Sequence, residues 1–184
     1  MKEIERLALG KRGPAFYQQS LQLAAESGRR KREVLQSLIA AENQVWEDSP
    51  QGLIRHMVNE WMDTAELCLD MYQQVIAAGG HSGKHRHLSE EMLFILEGSG
   101  FDLHWDPIFT AEEMYDWSWT EEPERFEWKA GDFVRVPPYS IHQHFADPSS
   151  RVRFVSATSR IVKAMGFDGL EQLEPASSAK DIVL

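Results

Sequence analysis

Apolar and polar positions change rhythm near residue 48. Upstream, the stretch AFYQQSLQLAAESGRRKREVLQSLIAAENQVW is rich in Gln, Leu, Ala and Glu, and Leu35, Leu38, Ile39 and Val45 fall near helical spacing. Two short helices split near Gly28 are expected there. The basic run Arg29, Arg30, Lys31 and Arg32 at that break reads as a solvated helix start on an acidic chain. Downstream of DSPQG come short runs of β-forming residues: LIRHMV, ELCLDMYQQVI, EMLFILEG, GFDLHW, RFEWKAGDFVRVPP, SIHQHF and VRFVSAT, separated by Gly, Pro, Asp and Ser. Many short strands without intervening helices predict a mainly β antiparallel barrel or sandwich. The expected organisation is an N-terminal helical extension (1–47), a barrel (48–175) and a C-terminal tail (176–184), with no internal repeat.

Alternation along the strands also locates the chemistry. In GGHSGKHRHLSEEMLFILEGSG, His85, His87 and Glu91 are all odd-numbered. If the segment is extended, they project to one face, while Arg86, Leu88 and Glu90 project to the other. Two imidazoles and a carboxylate facing inward cost several kcal/mol unless they are paired or metal-bound. In GDFVRVPPYSIHQHF, His142 and His144 again alternate, with Gly131 and Pro137–Pro138 marking turns. Three imidazoles and a carboxylate suit Fe(II), Mn(II), Ni(II), Cu(II) or Zn(II), whereas Ca(II) and Mg(II) prefer oxygen shells.

Composition narrows the partners. The 184 residues, 42% of them hydrophobic, are enough for one core. Nineteen basic against twenty-nine acidic residues give a formal charge of -10, which disfavours nucleic acid and anionic membranes and favours a small-molecule substrate or a protein partner. The single Cys68, the lack of an apolar leader in MKEIERLALGKRG and the lack of any long apolar run lead to the expectation of a cytoplasmic protein with no membrane span. A homodimer is expected, because small barrels cover their sheet edges and the N-terminal helices offer an apolar face.

The first cluster resembles the first cupin motif, in which a glycine, His-x-His, a glutamate and a closing glycine fall here on Gly79, His85, His87, Glu91 and Gly98. The second resembles the second cupin motif, with Gly131, Pro137 and His142 in register. It departs at Tyr139, where glycine is usual, and at Ala146, where asparagine is usual. The departures concern the turn more than the ligands. The resemblance covers roughly residues 50 to 160 and implies a cupin barrel, a jelly-roll-like double-stranded β-helix of two packed sheets. It also implies His85, His87, Glu91 and His142 as metal ligands. Among single-barrel cupins, HRH, EGSG and PPYSIHQH most resemble ring-cleaving and diketone-cleaving dioxygenases of the gentisate type, which implies Fe(II) and a small aromatic or enolisable substrate. An oxygen-independent isomerase or lyase using Mn(II), Ni(II) or Zn(II), and a non-catalytic binding or sensor module, are the alternatives.

His144 is open between a fifth ligand, an acid/base group beside substrate, and a barrel-interior residue; the acid/base role makes it the candidate catalytic residue. Leu93 and Ile95 are expected to pack the substrate. His56, His81 and His104 carry no partner signature, although His81 could line the mouth. The long segment between the motifs carries Trp117 and Trp119 and many acidic residues, and Trp128 lies at its end. It reads either as a surface excursion with aromatic anchors or as a lid.

Overall fold

The computed structural model describes residues 16–34, 37–59, 61–62, 68–111, 115–178 and 182. The chain divides into two units, Met1–Leu35 and Gln36–Leu184. Among the described residues of the first, a 19-residue helix, α1 (Phe16–Val34), continues through Gly28. The expected break is absent because one helical glycine costs only about 1 kcal/mol, and good helix formers flank it on both sides. Side chains 17–26 of α1 are exposed.

The second unit is built of strands: β1 (Val45–Ser49), β2 (Gly52–Val58), β3 (Leu69–Ile76), β4 (Lys84–Arg86), β5 (Glu91–Glu97), β6 (Ser99–Trp105), β7 (Pro107–Ala111), β8 (Tyr115–Trp119), β9 (Glu124–Lys129), β10 (Phe133–Val136), β11 (Ile141–Ala146), β12 (Val152–Ser159) and β13 (Glu171–Glu174), with a short helix α2 (Arg160–Ala164). Val45 is a strand residue, opposite His56, and not a helical one. DSPQG therefore closes a β1–β2 hairpin, in which the Ser49 hydroxyl donates to the Gly52 carbonyl at 2.9 Å. Leu35 lies outside the described residues.

The strands pair antiparallel in a six-stranded sheet, β1-β2-β3-β12-β5-β10, a five-stranded sheet, β13-β4-β11-β6-β9, and the separate hairpin β7-β8. Leu93, Ile95, Val134, Val152 and Phe154 from the first sheet and Trp128 and Ala146 from the second form one buried cluster. That is how two sheets bury their inner faces. Gly98, which closes the first motif, has φ +84, and a Cβ there would lie 2.3 Å from the Arg151 carbonyl oxygen, so only glycine fits the turn into β6. RFEWKAGDFVRVPP breaks at Gly131 into β9 and β10, which belong to different sheets. Among the described residues, no helix is long and apolar enough to cross a membrane.

Candidate metal centre

β4, β5 and β11 converge inside the barrel. His142 on β11 lies directly opposite His85 on β4, and β5 starts at Glu91. The alternation holds: His85, His87, Glu91 and His142 are all buried, while Glu90 faces outward and pairs with Arg135. One ligand-type atom from each of the four lies within 4.8 Å of the other three.

Hydrogen bonding selects the ring nitrogen that each histidine turns to the centre. Nδ1 of His85 faces the Gly83 carbonyl at 3.3 Å, Nδ1 of His87 the Ser89 carbonyl at 2.7 Å, and Nδ1 of His142 the Ser140 carbonyl at 3.0 Å. A carbonyl only accepts, so each Nδ1 carries a proton and each Nε2 is left for a second proton or a metal ion. Nε2 of His87 and of His142 then meet Glu91 Oε2 at 3.3 and 3.0 Å. Either a proton or a metal ion can bridge each of these buried contacts, and backbone-anchored imidazoles are how proteins present Nε2 to a metal. The other carboxylate oxygen, Oε1, accepts from the Tyr72 hydroxyl at 2.9 Å and from the Ser156 hydroxyl.

The electrostatics agree with that chemistry. Burial, with the neighbouring His142 next, pushes His85 well below its usual value, and burial lowers His142. Burial alone would raise Glu91, but hydrogen bonds with His142 and His87 hold it well below the usual carboxylate range. Burial would lower His87, but its hydrogen bond with Glu91 prevails and raises it, so a proton shared with Glu91 is what a metal ion would displace from this histidine. Burial and the Glu91 charge hold Tyr72 well above the ordinary phenol value, so it remains an O–H donor.

His144 shares the inward face with His142, at 5.5 Å between ring centroids, but lies outside the four-atom set. Its Nδ1 is 2.9 Å from Asp102 Oδ1, which also accepts from Trp128 Nε1 at 2.8 Å, and His104 Nε2 is 3.5 Å from Asp102 Oδ2. His144, Asp102, His104 and Trp128 are all buried. Burial would lower His144, but the Asp102 charge prevails and raises it. Asp102 is driven far below the carboxylate range, against its own burial, by His144 first. Sequence reasoning missed Asp102, Tyr72 and Ser156 and gave His104 no partner. The polar–apolar–polar order of Asp102, Leu103 and His104 was the available signal, since it reverses the usual inward alternation.

A cavity of about 280 Å³ reaches this centre, with His85, His87 and Tyr72 in its lining beside Ile54, Met71 and Leu170. Leu93 and Ile95 do not line it. They lie fully buried in the hydrophobic cluster, because alternation aims them inward at a different depth of the barrel. His56, which pairs with Glu47 at 2.6 Å, does line the cavity. His81 is not among its lining residues; its Nδ1 meets Gln143 Nε2 at 3.0 Å.

No family model matches the sequence, and no curated protein matches it. Solved structures do. The salicylate 1,2-dioxygenase of Pseudoaminobacter salicylatoxidans, in complex with gentisate, is 15% identical over 71% of this chain and 32% of its own, with a TM-score of 0.53. An oxalate decarboxylase variant from Bacillus subtilis is 15% identical over 77% of this chain and 34% of its own, also at 0.53. A cupin-like protein from Thermotoga maritima is 18% identical over 67% of this chain and 76% of its own, at 0.48. This chain thus spans about a third of the length of the first two. At these identities the likeness establishes the fold: the second unit is a cupin barrel, mainly β, and the chain also carries an N-terminal helix.

Proposed function

We propose that the protein is a metal-dependent enzyme of the Fe(II) dioxygenase type, acting on a small aromatic or enolisable molecule. The observation that carries this reading is that His85 and His87, two of the four convergent ligand residues, also line the cavity. A small molecule held there sits against the metal's own ligands. Three imidazoles and a carboxylate leave one or two positions of an octahedral ion open, and Fe(II) in such a shell supplies oxygen-activating chemistry. The lining supports a small organic substrate: Ile54, Met71 and Leu170 give apolar contact, beside charged Asp70, Lys163 and Asp168, and the Tyr72 hydroxyl is already committed to Glu91.

His144 does not line the cavity, and it is the acid/base candidate only for a substrate atom bound at the metal itself, beside His142. Asp102 holds the His144 Nδ1 as the proton-bearing nitrogen and leaves Nε2 as the acceptor, the tautomer a general base requires. Mn(II), Ni(II), Zn(II) or Cu(II) fits the same donors, and the equal likeness to an oxalate decarboxylase supports a lyase as the second reading. Assembly as a homodimer is part of the proposal. It is supported by exposed Met92, Phe94 and Leu96 on β5 beside Phe133 on β10, the edge strand of the larger sheet.

Oxygen consumption by Fe(II)-loaded protein over catechols, gentisate-like phenols and β-diketones tests the reading. Uptake coupled to substrate loss supports a dioxygenase. Anaerobic turnover with Mn(II) replaces it by the lyase, and binding without turnover replaces both by a binding module.

A further inference from the structure

The turn joining β10 to β11 departs from the cupin motif at Tyr139, and Tyr139 is the only non-glycine among the described residues with positive φ, at +64. A bulky L side chain keeps that conformation only where its surroundings hold it. The holding groups come from the base of the β7–β8 hairpin. Trp119, the last residue of β8, donates its indole N–H to the Tyr139 carbonyl at 2.9 Å, and the two rings pack with centroids 5.4 Å apart. Arg86, which sits between His85 and His87 in sequence, lies 3.8 Å from the Trp119 ring centre and 5.3 Å from that of Tyr139, and it is ion-paired to Glu171.

The same turn touches two of the ligand histidines. The Tyr139 N–H donates to the carbonyl of His87 at 2.9 Å. The next residue, Ser140, accepts from His142 Nδ1 at 3.0 Å through its carbonyl, and its hydroxyl donates to Asp106 Oδ1 at 2.8 Å. Asp106 stands immediately before β7, and its own carbonyl accepts from the Thr120 N–H, just after β8, at 3.0 Å. Both feet of the hairpin are therefore bonded to one four-residue turn, and that turn orients His142 directly and ties down the backbone of His87.

We propose that the β7–β8 hairpin is a brace for the metal centre, with Asp106 and Trp119 as positioning residues that set His87 and His142 for a divalent transition metal. The inference rests on the metal-centre reading above. Trp117, midway along β8, also packs on Tyr139 with ring centroids 5.2 Å apart, so a control has to lie off that contact face. Ile108 is exposed on β7 and serves as the control.

Titration of the full-length protein with Co(II), read by its visible ligand-field bands, measures both affinity and ligand geometry. Groups bonded to a metal-bound histidine typically contribute 10–100-fold in affinity, and Trp119 and Asp106 act one bond further out through Tyr139 and Ser140, so Trp119→Ala and Asp106→Ala are expected to weaken Co(II) binding up to about tenfold and to shift the bands. Ile108→Ser should bind as wild type does. A merely structural role would alter thermal unfolding without changing the bands of the bound state. If Trp119→Ala does not fold, Trp119→Phe, which keeps a ring and removes the N–H, and Asp106→Asn decide by the same criterion. Folded base variants with wild-type affinity and spectrum overturn the brace alone. Wild-type protein that gives no ligand-field bands overturns the metal centre, and the brace with it.

Discussion

The Tyr72 hydroxyl donates to Glu91 Oε1 at 2.9 Å, so the carboxylate turns its other oxygen, Oε2, toward His87 and His142. With Ser156 on the same Oε1, Glu91 is held as a one-oxygen donor. Its neighbour Glu90 points outward to Arg135. Glu91→Gln is therefore expected to reduce bound metal to a small fraction of wild type, and Glu90→Gln to leave it near wild type. Elemental analysis of the two purified variants checks this; the reverse order would place the ligand face of β5 on the wrong side.

The buried Asp102–His144 pair should be visible in stability. Asp102→Ala leaves the His144 Nδ1–H and the Trp128 indole N–H without their acceptor in the interior, at an expected cost of about 3–5 kcal/mol. The pH dependence has two arms. Asp102 is lowered in the fold, so its contribution is complete above the unfolded value of about 3.9 and is lost as pH falls through the folded value. His144 is raised, so its contribution is complete below about 6.5 and is lost as pH rises through its folded value. Urea unfolding of metal-stripped wild type, compared with Asp102→Asn/His144→Asn, should give the largest stability gap between about pH 4 and 6.5, narrowing on both sides. A gap that is flat, or widest at alkaline pH, would contradict the pair.

Tyr139 provides a backbone test. Both Tyr139→Ala and Tyr139→Gly delete the ring that packs on Trp119, but only glycine accepts φ +64 without steric cost. The alanine variant is expected to be less stable than the glycine variant by about 1–2 kcal/mol in chemical denaturation. Equal stabilities would mean that the turn relaxes out of the left-handed region.

Strand alternation made part of the centre legible, because it needs only local spacing and sorts His85, His87 and Glu91 to one face, whereas His142 came in only through the motif resemblance and meets His85 by the β4–β11 pairing. The partners of these residues were not legible. Asp102 meets His144 because β6 and β11 pair in that register, and Tyr72 and Ser156 reach Glu91 from β3 and β12, strands brought to β5 by non-local pairing. Alternation also says which way Leu93 and Ile95 point but not how deep they lie, and depth decides between core and cavity. At Gly28 the reverse error arose. A local helix breaker was given more weight than the residues on either side of it, and the helix continues.

For assembly, Phe94 on β5 and Phe133 on β10 lie in register on adjacent strands and are 46% and 62% exposed, an apolar patch at the sheet edge. Light scattering at micromolar concentration should give twice the 21.1 kDa chain mass, and Phe133→Asp should return it to one chain. A wild-type particle of one chain mass would remove the dimer.

The most direct test of the central claim is the metal content per chain of protein purified without added metal, measured for wild type, His87→Ala and His56→Ala. His87 presents Nε2 to the centre, whereas His56 lines the same cavity but belongs to the Glu47 pair. Wild type and His56→Ala should carry about one transition-metal ion per chain, as expected for a single four-residue site, and His87→Ala a small fraction of that. Equal metal in the two variants, or none in wild type even after Fe(II) and Mn(II) are supplied, would contradict the account.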